Sequence, residues 1–288
     1  MAAKSEGIQE EMPSMEEGVS SPSPSRTCNV SHNCCSNHVV ALAQKVFAEV
    51  IGTYFVVFAG CGSVAVNKIY GSVTFPGVCV TWGLIVMVMI YSLRHISGAH
   101  FNPAVTITLA IFRRFSYKQV PLYIFAQLLG SILASGTLAL MLDVTPKAYF
   151  GTVPVGSNGQ SLVAEVIITF LLMFVISAVS TDDKAVGDFA GVAVGMTIML
   201  NVFIAGEWEK ERVNGAGGGL REKGMGRKIQ CGGPVSGASM NPARSIGPAL
   251  IKHVYQGLWI YVVGPIVGSI AGALAYNFLR SPYKPPSE

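Results

Sequence analysis

Residues 97–106 read Ser-Gly-Ala-His-Phe-Asn-Pro-Ala-Val-Thr, and residues 236–245 read Ser-Gly-Ala-Ser-Met-Asn-Pro-Ala-Arg-Ser. The apolar stretches that follow, 105–112 and 246–251, are too short to cross a bilayer. Asparagine is a preferred N-cap and proline suits the first helical position, so each copy predicts a loop that opens into a short helix. Interrupted apolar segments at matching places in two halves indicate a functional site at the membrane midplane.

The composition of the whole chain is that of a membrane protein. Of 288 residues, 51% are hydrophobic and only 12% are charged, whereas about 25% of a soluble domain is charged. The net charge of +4 is spread out and forms no basic stripe of the kind that nucleic-acid binding needs. No cluster has metal-ligand spacing and no catalytic constellation occurs, so we expect no enzyme, no metal and no cofactor.

The chain carries an internal repeat that extends beyond the two phrases. Residues 48–54 (Ala-Glu-Val-Ile-Gly-Thr-Tyr) match 164–170 (Ala-Glu-Val-Ile-Ile-Thr-Phe), and Gly-Ser-Ile at 130–132 recurs at 268–270. Six stretches are long enough, at about 20 residues, to span the hydrocarbon core; they are 44–66, 74–93, 119–142, 161–181, 188–206 and 258–279.

The number of spans in each repeat predicts the fold. The first repeat covers about 44–142 and the second about 161–279, with three spans each. Because three is an odd number, the second copy enters the membrane upside down. We therefore expect an all-α membrane protein with six transmembrane helices and two re-entrant half-helices in an inverted repeat.

Polar tails flank the expected channel domain at 39–280. Residues 1–38 are polar and contain no cleavable signal peptide. We expect a disordered cytoplasmic tail there, in preference to a metal or lipidation site at Cys34 and Cys35, and a short cytoplasmic tail at 281–288. The basic residues near span ends all fall on one side of the membrane if both termini share that side, so we expect both termini in the cytoplasm. These residues are Arg26, Lys45, Arg113, Arg114, Lys118, Arg280 and Lys284.

Residues 207–233 do not fit the repeat. This 27-residue stretch (233 − 207 + 1) is rich in Gly, Lys, Arg and Glu and has no amphipathic period. Such a sequence cannot enter hydrocarbon, and it predicts a disordered loop inserted just before the second phrase.

The two Asn-Pro-Ala phrases, Asn102-Pro103-Ala104 and Asn241-Pro242-Ala243, resemble those of the major intrinsic protein family, the aquaporins and aquaglyceroporins. The resemblance covers about 40–280 apart from the insertion, and the wording is most similar to the plant nodulin-26-like intrinsic proteins. It implies a homotetramer in membrane lipid, in the plasma membrane or an intracellular membrane, with one pore per subunit.

The resemblance also implies a narrow outer filter. Family spacing places Trp82 and Val202 on the second and fifth spans and Ala238 and Arg244 in the second phrase. Val202 has the family's spacing to Arg244 only after residues 207–233 are removed. Their removal also restores a continuous sequence that matches the family pattern. The resulting filter is similar to that of the plant channels that conduct water and glycerol. The chain departs from the family at Arg94, where glycine is usual; Arg94 either extends harmlessly to the membrane surface or narrows the inner mouth.

Paired asparagines and one arginine suit a pore for neutral solutes. Two half-helix N-termini, each with roughly half a positive charge, repel cations and protons, while Asn102 and Asn241 donate to a passing oxygen. As an intramembrane charge, Arg244 is expected to be functional. Glu49 and Glu165 occur at equivalent repeat positions, which favours support of the loop backbone over a proton relay. His95 and His100 are interpreted as buried loop histidines, in preference to pH gates.

We therefore expect a passive channel for water and small uncharged solutes such as glycerol. One alternative is a secondary transporter, which also uses inverted repeats and broken helices. Another is a non-conducting splice product, because residues 207–233 have the properties of a retained intron: intact flanks, a preserved reading frame, alien composition and no structural period.

Overall fold

The computed structural model describes residues 30–142, 148–181, 187–206 and 236–280, with side chains from Val39 onward. Of the predicted disordered tail at 1–38, residues 1–29 lie outside the described residues, whereas residues 30–38 are helical. The predicted tail at 281–288 and the insertion at 207–233 also lie outside the described residues. Contacts divide the chain into Met1–Val39 and Val40–Glu288. In the first unit the described backbone is helical from Val30, so the helix begins well before residue 44, where we expected the first span to begin.

The described residues form eight α-helices and no strand. Two short 3-10 turns precede the fourth and sixth helices. The helices are α1 (Val30–Tyr70), α2 (Thr74–Ser97), α3 (Pro103–Ile111), α4 (Val120–Met141), α5 (Asn158–Thr181), α6 (Ala190–Ala205), α7 (Pro242–Lys252) and α8 (Ile260–Leu279).

Six segments are long and apolar enough to cross a membrane, and their bounds agree with the six predicted spans to within a few residues. They are Val39–Tyr70, Thr74–Ser97, Tyr117–Met141, Asn158–Thr181, Gly187–Ala205 and Ile260–Leu279. The remaining helices α3 and α7 are the two half-helices, and the predicted fold class is confirmed.

The half-helices begin where their sequences predict. Pro103 and Pro242 occupy the first helical positions, where the missing N–H removes no hydrogen bond. The preceding asparagines are extended caps: Oδ1 of Asn102 accepts from Ala104 N and Oδ1 of Asn241 accepts from Ala243 N, both at 2.9 Å. Each cap satisfies an otherwise unpaired N–H group of the first helical turn.

A two-fold contact between α2 and α6 relates the two repeats. A Cβ added at Gly83 would lie 2.7 Å from Gly195 O and 2.9 Å from Met199 Cβ. A Cβ added at Gly195 would lie 2.6 Å from Gly83 O and 2.9 Å from Met87 Cβ. This reciprocal pattern is that of an isologous contact. Glycine lets the two backbones approach this closely, as small residues do in membrane helices.

The same two-fold relation shows how the insertion interrupts the second repeat. Equivalent residues are 112 positions apart at Gly83 and Gly195 (195 − 83) but 139 apart at Ser97 and Ser236 (236 − 97). The difference of 27 equals the length of 207–233. The described flanks are neighbours, since Gly237 N donates to Ala205 O at 3.0 Å. Without this segment, the stretch from Gly195 to Ser236 therefore has the length of the stretch from Gly83 to Ser97.

Candidate pore

The two Asn-Pro-Ala loops meet through their asparagine side chains. Nδ2 of Asn102 donates to Met240 O, and Nδ2 of Asn241 donates to Phe101 O, both at 2.8 Å. Each amide thus bonds the residue that precedes the other asparagine. The N-termini of α3 and α7 are held against each other, so their positive dipole ends act on one region.

The two loops also share one backbone conformation. Glycine, alanine and the residue before asparagine all have positive φ in both copies, with values from 47° to 91°. These residues are Gly98, Ala99 and Phe101 in the first loop and Gly237, Ala238 and Met240 in the second. Left-handed conformations at non-glycine residues are strained, so other contacts must hold the loops in place.

Two buried carboxylates supply those contacts. Glu49 accepts from His100 N at 3.0 Å and from Phe101 N at 2.8 Å. Glu165 accepts from Ser239 N and from Met240 N, both at 2.8 Å. Each carboxylate also accepts a serine hydroxyl at 2.7 Å, from Ser97 and Ser236 respectively. The structure therefore places both acids where they bind loop N–H groups.

Sequence reasoning assigned no role to two further pairs of residues that hold the loops. Hydroxyls of Tyr123 and Tyr261 donate to the carbonyls of Ser97 and Ser236, at 2.8 and 2.7 Å. The serines of the repeated Gly-Ser-Ile phrase bond the first turns of the half-helices: Ser131 donates to Ala243 O and Ser269 to Ala104 O, at 2.5 and 3.4 Å. The repeat itself was the signal, since all four residues recur at one interval.

The support network is asymmetric at one position. Gln127, on α4, donates from Nε2 to Glu49 Oε2 at 2.8 Å and to Thr106 Oγ1 at 3.0 Å. The equivalent residue on α8 is Pro265, which has no side-chain donor. No sequence pattern singled out Gln127, because this residue differs between the two repeats.

One cavity runs past both loops and brings the predicted pore residues together. It measures about 910 Å³, including its solvent-filled ends. Its wall contains both asparagines and all four predicted filter residues, Trp82, Val202, Ala238 and Arg244. The rest of the wall is mainly apolar, with α2 and α6 each contributing one residue per turn: Trp82, Val86, Ile90 and Arg94 from α2, and Ala190, Val194, Ile198 and Val202 from α6.

Arg244 is almost fully buried in the wall of this cavity, with 4% of its surface exposed. Its guanidinium carbon lies 5.0 Å from the centroid of the Trp82 ring, a cation–π distance. Its Nε and Nη1 have no hydrogen-bond partner among the described residues. Buried donors without partners are costly, and each of these two atoms exposes less than 1 Å² of its surface.

The other end of the cavity contains a second arginine. Arg94 lines the cavity, and its Nη1 donates to Gly187 O at 2.9 Å, which joins the end of α2 to the start of α6. His100 also lines the cavity, with Nδ1 3.1 Å from Thr106 Oγ1. Its side chain is half-buried.

The structure does not bring His95 to this cavity. His95 lies exposed in the last turn of α2 and is absent from the described wall. The helix continues through His95 and Ile96 to Ser97 before the loop starts, so the expected loop position of His95 is wrong.

Comparisons with known proteins agree on one family. The family model described as Major intrinsic protein matches residues 36–217 and 225–276. A "Probable aquaporin NIP-type" from Nicotiana alata is 64% identical over 288 residues, which is 100% of this chain and 96% of the relative. Nodulin-26 from Glycine max is 51% identical over 250 residues, 86% of this chain and 82% of the relative.

A solved structure has the same fold. The X-ray structure of the aquaglyceroporin from Plasmodium falciparum superposes with a TM-score of 0.66 and is 25% identical in sequence. The match covers 82% of this chain and 96% of that chain.

Proposed function

Because this chain belongs to the major intrinsic protein family of membrane channels, we propose that it conducts water and small uncharged solutes such as glycerol and excludes ions and protons. The predicted similarity to plant nodulin-26-like proteins is confirmed, and its relatives are channels, not enzymes. One observation carries the proposal: the paired asparagines and the four filter residues line a single cavity.

The composition of the filter supports glycerol as well as water. Val202 and Ala238 are small and apolar, Trp82 offers a ring face, and Arg244 supplies donors without a described partner. A solute with a carbon backbone and several hydroxyls can place carbons on the apolar side and oxygens toward Arg244. The structural neighbour from Plasmodium falciparum is an aquaglyceroporin, which agrees with this solute class.

Ion exclusion follows from the charges along the same path. The dipoles of α3 and α7 place positive potential at the asparagine pair. Each Nδ2 carries two hydrogens and makes one described bond, to the opposite loop. The second N–H of each amide can donate to a neutral solute oxygen. A cation meets only the amide N–H groups and the positive ends of the α3 and α7 dipoles there.

The contacts of the two buried acids weigh against a secondary transporter. Such a transporter needs an ionisable group that is free to load and release a coupling ion. Glu49 and Glu165 instead each accept several loop donors. Their use as structural acceptors leaves them unsuited to a proton relay.

We also propose that the protein assembles as a homotetramer in the plasma membrane or an intracellular membrane, with both termini in the cytoplasm. Large apolar side chains are exposed on several spans, among them Phe125 (65%) and Ile167 (60%). Such faces suit lipid or a second subunit. The exposed Arg113 and Lys118 lie between α3 and the span that follows, which supports a cytoplasmic position for that connection.

Expression in oocytes tests the function. We expect faster osmotic swelling and greater uptake of labelled glycerol than in uninjected cells, without added membrane current. The Arg244→Ala variant is expected to lose selectivity, while Arg113→Ala, at an exposed arginine, behaves as the unchanged protein. A protein that reaches the surface but adds neither water nor glycerol flux would contradict the proposal and favour the non-conducting alternative.

A further inference from the structure

Gly60 on α1, which is not among the described residues of the cavity wall, lies directly behind the Trp82 ring. A Cβ added at Gly60 would lie 2.5 Å from Trp82 Cδ2 and closer still to Cε3 and Cζ3. Real Cβ atoms essentially never approach another atom so closely, so the ring or the helix would have to shift. Gly60 is helical and buried. The indole of Trp82 occupies the space that a side chain at position 60 would take.

The Trp82 ring also borders the cavity and Arg244. The guanidinium carbon of Arg244 lies 5.0 Å from the ring centroid, and both residues line the cavity. The indole is thus held between α1 and the lumen. Because α1 occupies the space behind the ring, we expect a side chain at Gly60 to displace the ring into the lumen and to narrow the opening beside Arg244.

The internal repeat independently supports a relation between the size of the residue at position 60 and the size of the residue at position 82. The repeat interval that relates Glu49 to Glu165 places Ile176 at the position of Gly60 on α5. The interval that relates Gly83 to Gly195 places Val194 at the position of Trp82 on α6. Both Ile176 and Val194 line the cavity. The first repeat therefore combines glycine with a large aromatic residue, and the second combines a large aliphatic residue with a smaller one.

We propose that Gly60 is a positioning residue that sets the solute cut-off of the channel through Trp82. This inference rests on the proposed function, because it takes Trp82 as a filter residue. Gly60 acts through shape alone, because it carries no charge and makes no hydrogen bond to the solute. Solutes wider than water should therefore be affected more than water.

A double-mutant cycle tests the inference with four proteins: the unchanged chain, Gly60→Ala, Trp82→Ala and the double variant. The readout is the ratio of glycerol to water permeability in proteoliposomes, which is independent of the amount of active protein. We expect Gly60→Ala to lower this ratio several-fold and Trp82→Ala to raise it. Once the indole is absent, Gly60→Ala should leave the ratio unchanged.

Gly62→Ala is the matched control, because it makes the same change two residues away on α1. Its Cβ would lie 3.2 Å from the flexible tip of Leu138, at Cδ2, and Gly62 is not among the described residues of the cavity wall. Its ratio should stay that of the unchanged chain. If Gly60→Ala does not reach the membrane but the double variant does, that rescue equally supports a clash with Trp82.

Four results would overturn the inference. A normal ratio in Gly60→Ala alongside a raised ratio in Trp82→Ala would reject the role of Gly60 and leave the proposed filter standing. An equal effect of Gly60→Ala with and without Trp82, or failure of both Gly60 variants to assemble, would show a purely structural glycine. An unchanged ratio in Trp82→Ala would reject the filter assignment itself and the inference with it.

Discussion

At the residue scale, the proposed selectivity of the channel depends mainly on one side chain, that of Trp82. It lines the cavity with 6% of its surface exposed and faces Arg244 across 5.0 Å. Its indole is the bulkiest of the four predicted filter side chains. The pore at this level should therefore respond to its removal more than to any aliphatic change in the filter.

We predict that Trp82→Ala raises the permeability to glycerol and larger polyols relative to water. The missing indole leaves an opening that admits wider solutes and removes the cation–π partner of Arg244, an interaction worth about 0.5–2 kcal/mol. Stopped-flow light scattering on proteoliposomes measures both permeabilities. Trp259→Ala, at a tryptophan with 50% of its surface exposed, is the control. An unaltered glycerol-to-water ratio in Trp82→Ala would contradict its place in the filter.

Asn102 and Asn241 lie where the positive N-terminal ends of α3 and α7 meet. We predict that Asn102→Asp or Asn241→Asp weakens cation exclusion or prevents assembly, because a carboxylate offsets the paired helix dipoles, roughly half a charge each. The same substitution also removes the Nδ2 donor that joins the two loops. Membrane current and surface labelling in oocytes measure the two outcomes, and Asn158→Asp, at an exposed residue, is the control. Normal ion exclusion together with normal surface expression would contradict this account.

At the scale of elements, the two loops are held by acceptors on the neighbouring long helices. Glu165 on α5 receives Ser236 Oγ, Ser239 N and Met240 N within 2.7–2.8 Å. The loop between them contains Ala238, which has positive φ and lines the cavity. The position of a predicted filter residue therefore depends on a carboxylate that is not among the described residues of the cavity wall.

We predict that Glu165→Gln destabilises the second loop and lowers water permeability. The amide places an NH₂ group where the carboxylate accepts N–H donors, and an unsatisfied buried donor costs about 1–3 kcal/mol. The thermal unfolding midpoint in detergent and the water permeability per molecule should fall together. Ser236→Ala removes only one of the donors and should have a smaller effect. A midpoint unchanged by Glu165→Gln would mean that these bonds do not hold the loop.

The second element-scale prediction concerns residues 207–233, which we interpret as a retained intron segment. The described flanks already meet, with Gly237 N on Ala205 O, and two residues, Pro234 and Val235, would then join Gly206 to Ser236. The first repeat makes the equivalent connection with two residues, His95 and Ile96. We expect the shortened link to need no rearrangement of the filter, because a shorter connection between these flanks costs less closure entropy.

We predict that deletion of residues 207–233 gives a protein that expresses and conducts better than the full chain. Water permeability per surface-labelled molecule, measured for both forms in oocytes, is the test. Transcript sequencing in the source tissue is the companion measurement, and we expect to find the shorter form. Detection of the long form alone, together with equal permeability of the two proteins, would reject the retained-intron interpretation.

At the scale of the whole molecule, the sequence predicted the architecture because its signals are strong and repeated. Span length is dictated by bilayer thickness, and the Asn-Pro pairs define where both half-helices begin. The sequence predicted the bounds of single helices less well. The helix α1 begins at Val30. His95 belongs to α2, since no proline or cap ends that helix before Ser97.

The site was predictable where the two repeats agree or where the family resemblance supplies a position. The asparagines, Glu49 and Glu165 stand at repeated positions, and the structure brings each acid to its loop. Gln127 and Gly60 have different residues at their repeat equivalents, and their roles depend on what packs against them in three dimensions. A glycine that accommodates an indole leaves no pattern in a single sequence.

The central claim is that the cavity along Asn102, Asn241 and Arg244 is a path for small neutral solutes. The most direct test is the permeability of purified full-length protein in proteoliposomes, measured by light scattering for water, glycerol and sorbitol and by a trapped pH dye for protons. Our account predicts water and glycerol fluxes above those of protein-free liposomes, with sorbitol retained and the proton gradient preserved. Vesicles as impermeable as protein-free ones, or vesicles that lose their proton gradient, would contradict it.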